Sequence, residues 1–84
     1  MKNIVITGVS SGIGLATAKI LASKGWRVFG TVRKASQGEQ ISKEIGSSFT
    51  PLLVDVRDEK TIAAAAKQVT KALGKDRLQG LVNC

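Results

Sequence analysis

Residues 7–14 read Thr-Gly-Val-Ser-Ser-Gly-Ile-Gly, a turn punctuated by glycine. Residues 2–7, directly before this turn, are rich in Ile and Val and predict a short buried strand. Residues 13–24, directly after it, predict a helix, and Gly25 is placed to end it. The apolar positions of that helix follow a helical spacing at Ile13, Ala16 and Ile20. The segment is therefore a strand–turn–helix unit, and the rest of the fold is built outward from it.

Each of the three glycines of this turn has a different structural role. Gly8 lets the chain leave the strand in a tight turn, and Gly12 lets the backbone approach an anion closely. Gly14 lets the helix pack close to the sheet, and the helix N-terminus offers unpaired N–H groups and partial positive charge. The alternative is a flexible turn that is merely glycine-rich. The strand before it and the helix after it favour a phosphate cradle.

The rest of the chain continues to alternate strands with helices. Strands are predicted over residues 26–32, 49–54 and 78–82, and Pro51 near the start of the third strand favours an edge position. Residues 34–45 predict a weaker, more polar helix or a loop, ended by Gly46. A further helix begins after an N-cap at Asp58 and stops at Gly74. Its apolar residues are Ile62, Ala65, Ala66, Val69, Ala72 and Leu73.

This alternation predicts an α/β fold, a Rossmann-like doubly wound parallel sheet of strand order 3-2-1-4 within a single domain. Helices 1 and 2 should cover one face and helix 3 the other. Ligands of such sheets bind outside the carboxyl ends of the strands, here at the switch point between strands 1 and 4. Strand 4 is expected to be an edge strand, with three side chains bare: Leu78, Leu81 and Val82.

Composition narrows the classes of function. The net charge of +7 favours anionic partners, but the basic residues are scattered and there are only three aromatic residues, so nucleic-acid binding ranks low. No apolar tract of about 18 residues is present, and no membrane association is expected. The one cysteine, Cys84, cannot form an internal disulfide, and no signal peptide is recognisable, so a cytoplasmic setting is expected.

The spacing Thr-Gly-x-x-x-Gly-x-Gly resembles the cofactor motif of the short-chain dehydrogenase/reductase (SDR) family. It differs from the Gly-x-x-Gly-x-x-Gly of the extended, epimerase-like relatives, and no Gly-Lys-Ser/Thr of a P-loop is present. Residues 53–56, Leu-Val-Asp-Val, resemble the end of the family's strand 3, whose Asp meets the adenine. Residues 81–83, Leu-Val-Asn, resemble the entry to its Asn-Asn-Ala-Gly segment. The resemblance covers essentially all of residues 1–84 and implies the N-terminal part of one incomplete NAD(P)-binding Rossmann domain.

This resemblance implies a set of cofactor-binding residues along the carboxyl ends of the strands. Taken by itself, Asp55 could equally be a capping residue at a strand end. The implied set is Gly8, Ser10, Ser11, Gly12, Ile13, Gly14, Asp55, Val56 and Asn83.

The end of strand 2 predicts which nicotinamide cofactor is bound. An NAD site places an acid on the ribose 2′-hydroxyl about 20 residues after the glycines, but no acid occurs between Asn3 and Glu39. Val32 stands at that position, and Arg33 and Lys34 follow. A guanidinium can bind a 2′-phosphate through paired hydrogen bonds, so NADP(H) is expected over NAD(H). The alternative is a solvated strand end. Ser11 departs in part from the NADP pattern, because some NADP enzymes carry a basic residue there.

The resemblance also implies a reaction, the interconversion of a carbonyl and an alcohol by hydride transfer. Family members use a Tyr as acid/base, a Lys four residues later and a Ser, all well beyond strand 4. The chain has no Tyr, so no catalytic residue is assigned.

The stop at Asn83-Cys84, in the middle of a motif, leads us to expect a truncated longer protein, inactive and poorly folded by itself. The substrate pocket and the dimer helices of this usually oligomeric family would then be missing. The alternative function is a non-catalytic NADP(H)-binding module or sensor.

Overall fold

A computed structural model of the protein describes residues 2–10 and 12–83. The strands are β1 (Asn3–Thr7), β2 (Arg27–Val32), β3 (Phe49–Leu53) and β4 (Gly80–Asn83). The helices are α1 (Gly12–Ser23), α2 (Ala35–Ile45) and α3 (Glu59–Leu73). The segment predicted as a helix or a loop is thus a helix, and the Asp58 side chain accepts from the backbone N–H of Lys60 as the predicted N-cap of α3.

The four strands form one parallel sheet of order β3-β2-β1-β4, as predicted. Ile4 of β1 lies opposite Val28 of β2 on one side and Gly80 of β4 on the other. β3 is an edge strand, which explains how Pro51 is accommodated within it. All four strands therefore end on the same edge, where the predicted ligand site lies.

The sheet separates two hydrophobic clusters. The larger one packs α1 and α2 against the first face and includes Ile4, Ile6, Val9, Ala18, Val28, Val32, Ile41 and Phe49. The smaller one packs α3 against the other face around Phe29, Leu52 and Ala65. Successive residues of a strand point to opposite faces, so Val28 and Phe29 enter different clusters. The predicted division of the helices between the two faces is confirmed.

The apolar residues that indicate the helical spacing of α1, namely Ile13, Ala16 and Ile20, do not form the face that packs against the sheet. Ile13 is 79% exposed and Ile20 is 56% exposed, whereas Gly14 and Ala18 are buried against the sheet. The small residues let the helix axis come close to the strands, and this rotates the larger isoleucines toward solvent.

Helix α3 covers only part of its face of the sheet. Ala65 is buried and Val69 and Leu73 are partly buried, but Ile62 is 44% exposed. Ala66 and Ala72 of the predicted apolar set are exposed as well. A groove of about 510 Å³ separates the helix from Val5 and the other residues that line the open part of the sheet.

Strand β4 begins two residues later than predicted, because the Gln79 side chain replaces a ladder bond by accepting from the backbone N–H of Asn3 at 2.6 Å. Leu78 and Leu81 are exposed, as expected. Val82 is partly buried, contrary to expectation, because it lies on the face that α1 covers.

A polar cluster joins three strands at their amino ends. Asn3 is fully buried, its side-chain oxygen accepts from Arg27 Nε at 2.7 Å, and its amide donates to the Arg77 carbonyl at 3.0 Å. The backbone N–H of Gln79 donates to the Asn3 carbonyl at 2.8 Å. Arg27 also lies 3.7 Å from Asp76. We call these residues the amino-edge cluster; it fixes β1, β2 and the segment leading into β4 relative to one another.

Within the described residues, none of the helices is both long enough and apolar enough to cross a membrane.

Candidate functional site

The carboxyl ends of the four strands enclose a cleft of about 480 Å³. Each strand contributes to it, because parallel strands bring their following loops to one edge. Its volume lies within the usual range of small-molecule sites, roughly 300–1,000 Å³. The lining residues are Thr7, Gly8, Ser10, Thr31, Val32, Arg33, Val54, Asp55, Val56, Arg57 and Asn83.

The glycine loop forms one wall of the cleft and is fixed to β2. Gly8 and Gly12 have φ of 67° and 66°, in the left-handed region that favours glycine. The backbone N–H of Gly8 donates to Thr31 Oγ1 at 2.8 Å, and that of Val9 donates to the Thr31 carbonyl at 3.2 Å. Val9 is fully buried beneath the loop. The loop is therefore held in one shape by its glycines and by the end of β2.

Gly14 brings the first turn of α1 against this loop. A Cβ atom placed on Gly14 would meet the Gly8 carbonyl oxygen, and it would lie 3.1 Å from the Gly8 carbonyl carbon. Both neighbours are backbone atoms, so they cannot rotate away as a side chain would. The absence of a side chain at Gly14 lets the start of α1 lie directly against the turn, close to the cleft.

The end of β2 carries the basic residues that the sequence singles out. Arg33 follows the last residue of β2, is exposed and lines the cleft. Lys34 lies instead at the N-cap of α2, where its backbone N–H donates to Gln37 Oε1 at 3.3 Å. The structure thus places Arg33 in the cleft and Lys34 at the start of the next helix.

Asp55, directly beyond β3, is bound by a second arginine. Arg57 Nε donates to Asp55 Oδ1 at 3.1 Å, and Arg57 Nη2 donates to Oδ2 at 2.9 Å. The backbone N–H of Arg57 adds a third bond to Oδ1 at 3.0 Å. Hydrogen bonds from the Arg57 side chain and backbone, with a smaller contribution from the charge of Arg33, lower the pKa of Asp55 from 3.8 to about 2. Asp55 is therefore a firmly ionised carboxylate whose charge is balanced by a neighbour.

The Asp55 backbone is fixed as well. Thr61 Oγ1 accepts from the Asp55 N–H and donates to its carbonyl, at 2.9 Å in both cases. The first turn of α3 therefore holds this side of the cleft.

The remaining side of the cleft is formed where β1 and β4 end side by side. Thr7 lies opposite Asn83 in the strand register, and Thr7 Oγ1 lies 2.8 Å from Asn83 Oδ1. This contact closes the cleft at the switch point between the two strands, where the topology predicts a ligand.

Six residues of the predicted cofactor set line the cleft: Gly8, Ser10, Arg33, Asp55, Val56 and Asn83. Gly12, Ile13 and Gly14 form the first turn of α1 next to it. Ser11 lies outside the described residues. Three polar lining residues were not assigned from the sequence: Thr7, Thr31 and Arg57. Thr31 anchors the loop, and Arg57 binds the carboxylate. Arg57 stands two residues after Asp55, the spacing at which an Asp side chain often accepts a hydrogen bond from a backbone N–H. The contact between these two residues could therefore have been suspected from the sequence.

The residues present fit a dinucleotide. The helix N-terminus and the glycine loop suit a pyrophosphate, because backbone N–H groups at a helix N-terminus bind anions. The close approach of this helix to the loop depends on Gly14, since a Cβ there would displace the turn. The neighbouring strand ends offer two guanidinium groups, Arg33 and Arg57, and one carboxylate.

Comparison with known proteins agrees with this geometry. The chain is 37% identical to an "NADPH-dependent 3-dehydrocapnine reductase" of Ornithobacterium rhinotracheale over 83 residues, which cover 99% of this chain and 29% of that protein. The crystal structure of a short chain dehydrogenase from Bacillus anthracis superimposes with a TM-score of 0.87 at 31% identity, over 99% of this chain and 34% of that one.

A 3-ketoacyl-(acyl-carrier-protein) reductase from Brucella melitensis, crystallised with NADH, superimposes with a TM-score of 0.79 at 31% identity, over 89% of this chain and 31% of that one. The chain thus spans about a third of the length of these relatives. The short chain dehydrogenase family profile matches residues 2–84. With this match and the four-stranded Rossmann-like sheet, the chain belongs to the short-chain dehydrogenase family.

Proposed function

We propose that the cleft binds NADP(H), and that the protein interconverts a carbonyl and an alcohol by hydride transfer. This chain supplies the cofactor-binding portion. The observation that carries the proposal is the guanidinium group of Arg33, which lines the cleft beside the glycine loop.

The preference for NADP(H) rests on the end of β2. Arg33 lies one residue beyond the position at which an NAD site holds the ribose with an acid. A guanidinium there favours a 2′-phosphate through paired, charge-assisted hydrogen bonds, whereas a carboxylate would repel it. Among the described lining residues, Asp55 is the one acid, and its charge is balanced by Arg57. One relative is named as NADPH-dependent and another was crystallised with NADH, so the preference is argued from this chain's own residues.

When bound, the cofactor supplies or accepts the hydride. In our proposal the glycine loop and the start of α1 hold the pyrophosphate, and Arg33 holds the adenosine end. Asn83, paired with Thr7, lies at the switch point and delimits the opposite side of the cleft. In this proposal the residues of this chain orient the cofactor, and none of them is assigned as a general acid or base.

The test is replacement of Arg33 by Ala in the natural full-length protein, with NADPH and NADH titrated by cofactor fluorescence. NADPH should bind more tightly than NADH before the change. Arg33→Ala should weaken NADPH by about 1.5–3 kcal/mol, the scale of hydrogen bonds to charged groups, and barely change NADH.

Arg77→Ala is the matched control, because it removes an exposed arginine from the opposite edge of the sheet. Equal affinities of the unmutated protein for the two cofactors would refute the proposed preference.

A further inference from the structure

We propose that Arg57 is a second binding residue for the adenosine 2′-phosphate, and that Asp55 positions it for that contact. Arg57 would thus help to determine specificity for the cofactor. This inference rests on the proposed binding of NADP(H) and adds a residue to that site.

The contact between the two side chains leaves one edge of the guanidinium available. A guanidinium carries five N–H groups in a planar fork. Asp55 accepts from the edge formed by Nε and Nη2, at 3.1 and 2.9 Å. The edge formed by Nη1 and Nη2 still has one N–H on each nitrogen, which is the two-armed geometry that binds a phosphate. The Arg57 side chain is 73% exposed, so a ligand in the cleft can reach this edge.

Asp55 also restricts the motion of that edge. A free arginine on the surface loses substantial rotamer entropy when it binds a ligand. Here the carboxylate holds the guanidinium with two hydrogen bonds and the Arg57 backbone with a third, at 3.0 Å. Thr61 in turn fixes the Asp55 backbone against the first turn of α3. Part of the ordering cost is therefore met before the ligand arrives.

The position of Arg57 matches the place of the 2′-phosphate in our proposal. β2 and β3 are neighbouring strands, with Val32 opposite Leu53, so the loops that carry Arg33 and Arg57 leave the sheet side by side. Arg33, Asp55 and Arg57 all line the same cleft, so both cations and the carboxylate that binds Arg57 face one ligand site. A 2′-phosphate in this part of the cleft would meet the guanidinium group of Arg33 and the free edge of Arg57, and with the carboxylate of Asp55 these three groups carry a net charge of +1.

The experiment compares two pairs of ligands that differ only by the 2′-phosphate, NADPH with NADH and 2′,5′-ADP with 5′-ADP. Dissociation constants are measured for the natural full-length protein, Arg57→Ala, Arg57→Lys and Lys60→Ala. Lys60 is an exposed cation in the first turn of α3 and does not line the cleft, so Lys60→Ala controls for the loss of one positive charge.

We expect Arg57→Ala to weaken NADPH and 2′,5′-ADP about ten-fold or more, the affinity change for about one lost charge-assisted hydrogen bond. NADH and 5′-ADP should change less than about two-fold, and so should every ligand in Lys60→Ala. Arg57→Lys, which keeps the charge but loses the fork, should fall between the unmutated protein and Arg57→Ala.

Two results would overturn the inference. An equal loss for phosphorylated and unphosphorylated ligands would mean that Arg57 contacts the adenine or only supports the loop. No loss in Arg57→Ala, alongside a selective loss in Arg33→Ala, would leave the proposed function standing without Arg57. A preference of the unmutated protein for NADH would instead refute the proposed cofactor.

Discussion

At the scale of a single residue, Gly14 is the position with the least room for change. A side chain there would press on the Gly8 carbonyl and force the turn away from α1. We expect Gly14→Val to abolish binding of NADPH and to lower the free energy of unfolding by about 1–3 kcal/mol, the usual cost of overpacking. Far-ultraviolet circular dichroism should stay largely unchanged, because the helix and strands remain. Cofactor titration and urea denaturation measure the two effects.

Gly25→Ala separates the loop effect from general destabilisation. Gly25 has φ of 88°, so an added side chain strains its backbone, but a Cβ there meets nothing within 4 Å. This variant should lose stability and keep its affinity for NADPH. Unchanged affinity in Gly14→Val would contradict the assigned role of Gly14.

The residues of the candidate site could be predicted from the sequence only in part. The glycine spacing predicted the position of the loop, because few other contexts require glycine at three such places. The role of Thr31 depends on a contact between distant segments, so local patterns could not predict it. Arg57 was available as a near neighbour of Asp55, but its importance follows from two side-chain hydrogen bonds that only the folded turn reveals.

At the scale of elements, the amino-edge cluster links β1, β2 and the segment before β4 through the buried side chain of Asn3. Replacing this side chain leaves Arg27 Nε and the Arg77 carbonyl without that partner. We expect Asn3→Ala to lower the free energy of unfolding by about 1–3 kcal/mol, the cost of unsatisfied buried polar groups. Urea denaturation measures this value, with Gln68→Ala on the exposed side of α3 as the control. A change below about 0.5 kcal/mol, typical of surface positions, would contradict the inferred role.

Strands were easier to predict than the contact faces of helices. A run such as residues 2–7 buries both faces in a parallel sheet, so apolar content alone reveals it. The face of α1 depends instead on how closely the helix approaches the sheet, and Gly14 and Ala18 decide that distance. The beginning of β4 was missed because the Gln79 side chain takes the place of a backbone partner. A side chain that replaces a backbone hydrogen-bond partner leaves no periodic pattern in the sequence.

At the scale of the whole molecule, the sheet has an apolar edge. Leu81 of β4 is 66% exposed, and the groove between α3 and the sheet lies on the same face. Exposed apolar edge strands favour association with another chain. We expect a polypeptide of residues 1–84 to elute above the monomer size in size-exclusion chromatography, and Leu81→Lys to shift it toward the monomer. Ala63→Lys adds the same charge on an exposed part of α3 and should not. A monodisperse unmutated monomer would contradict this expectation.

The order of the whole sheet was predictable because right-handed crossovers leave few arrangements for four strands. The register of the strands agrees with that order throughout the described residues. Partial coverage by α3 was not predictable, because the apolar pattern of a helix indicates which of its faces is buried but not where the helix lies over the sheet.

The contact between Thr7 and Asn83 has a consequence for the time course of folding. It joins residues 76 positions apart, whereas the bond between Gly8 and Thr31 spans 23 positions. Closing the longer loop costs more chain entropy, and contacts between distant positions slow the search for the native state. We therefore expect β1, β2 and β3 to associate first and β4 to dock last. The contact between Thr7 and Asn83 at the switch point would then form only after the other three strands have paired.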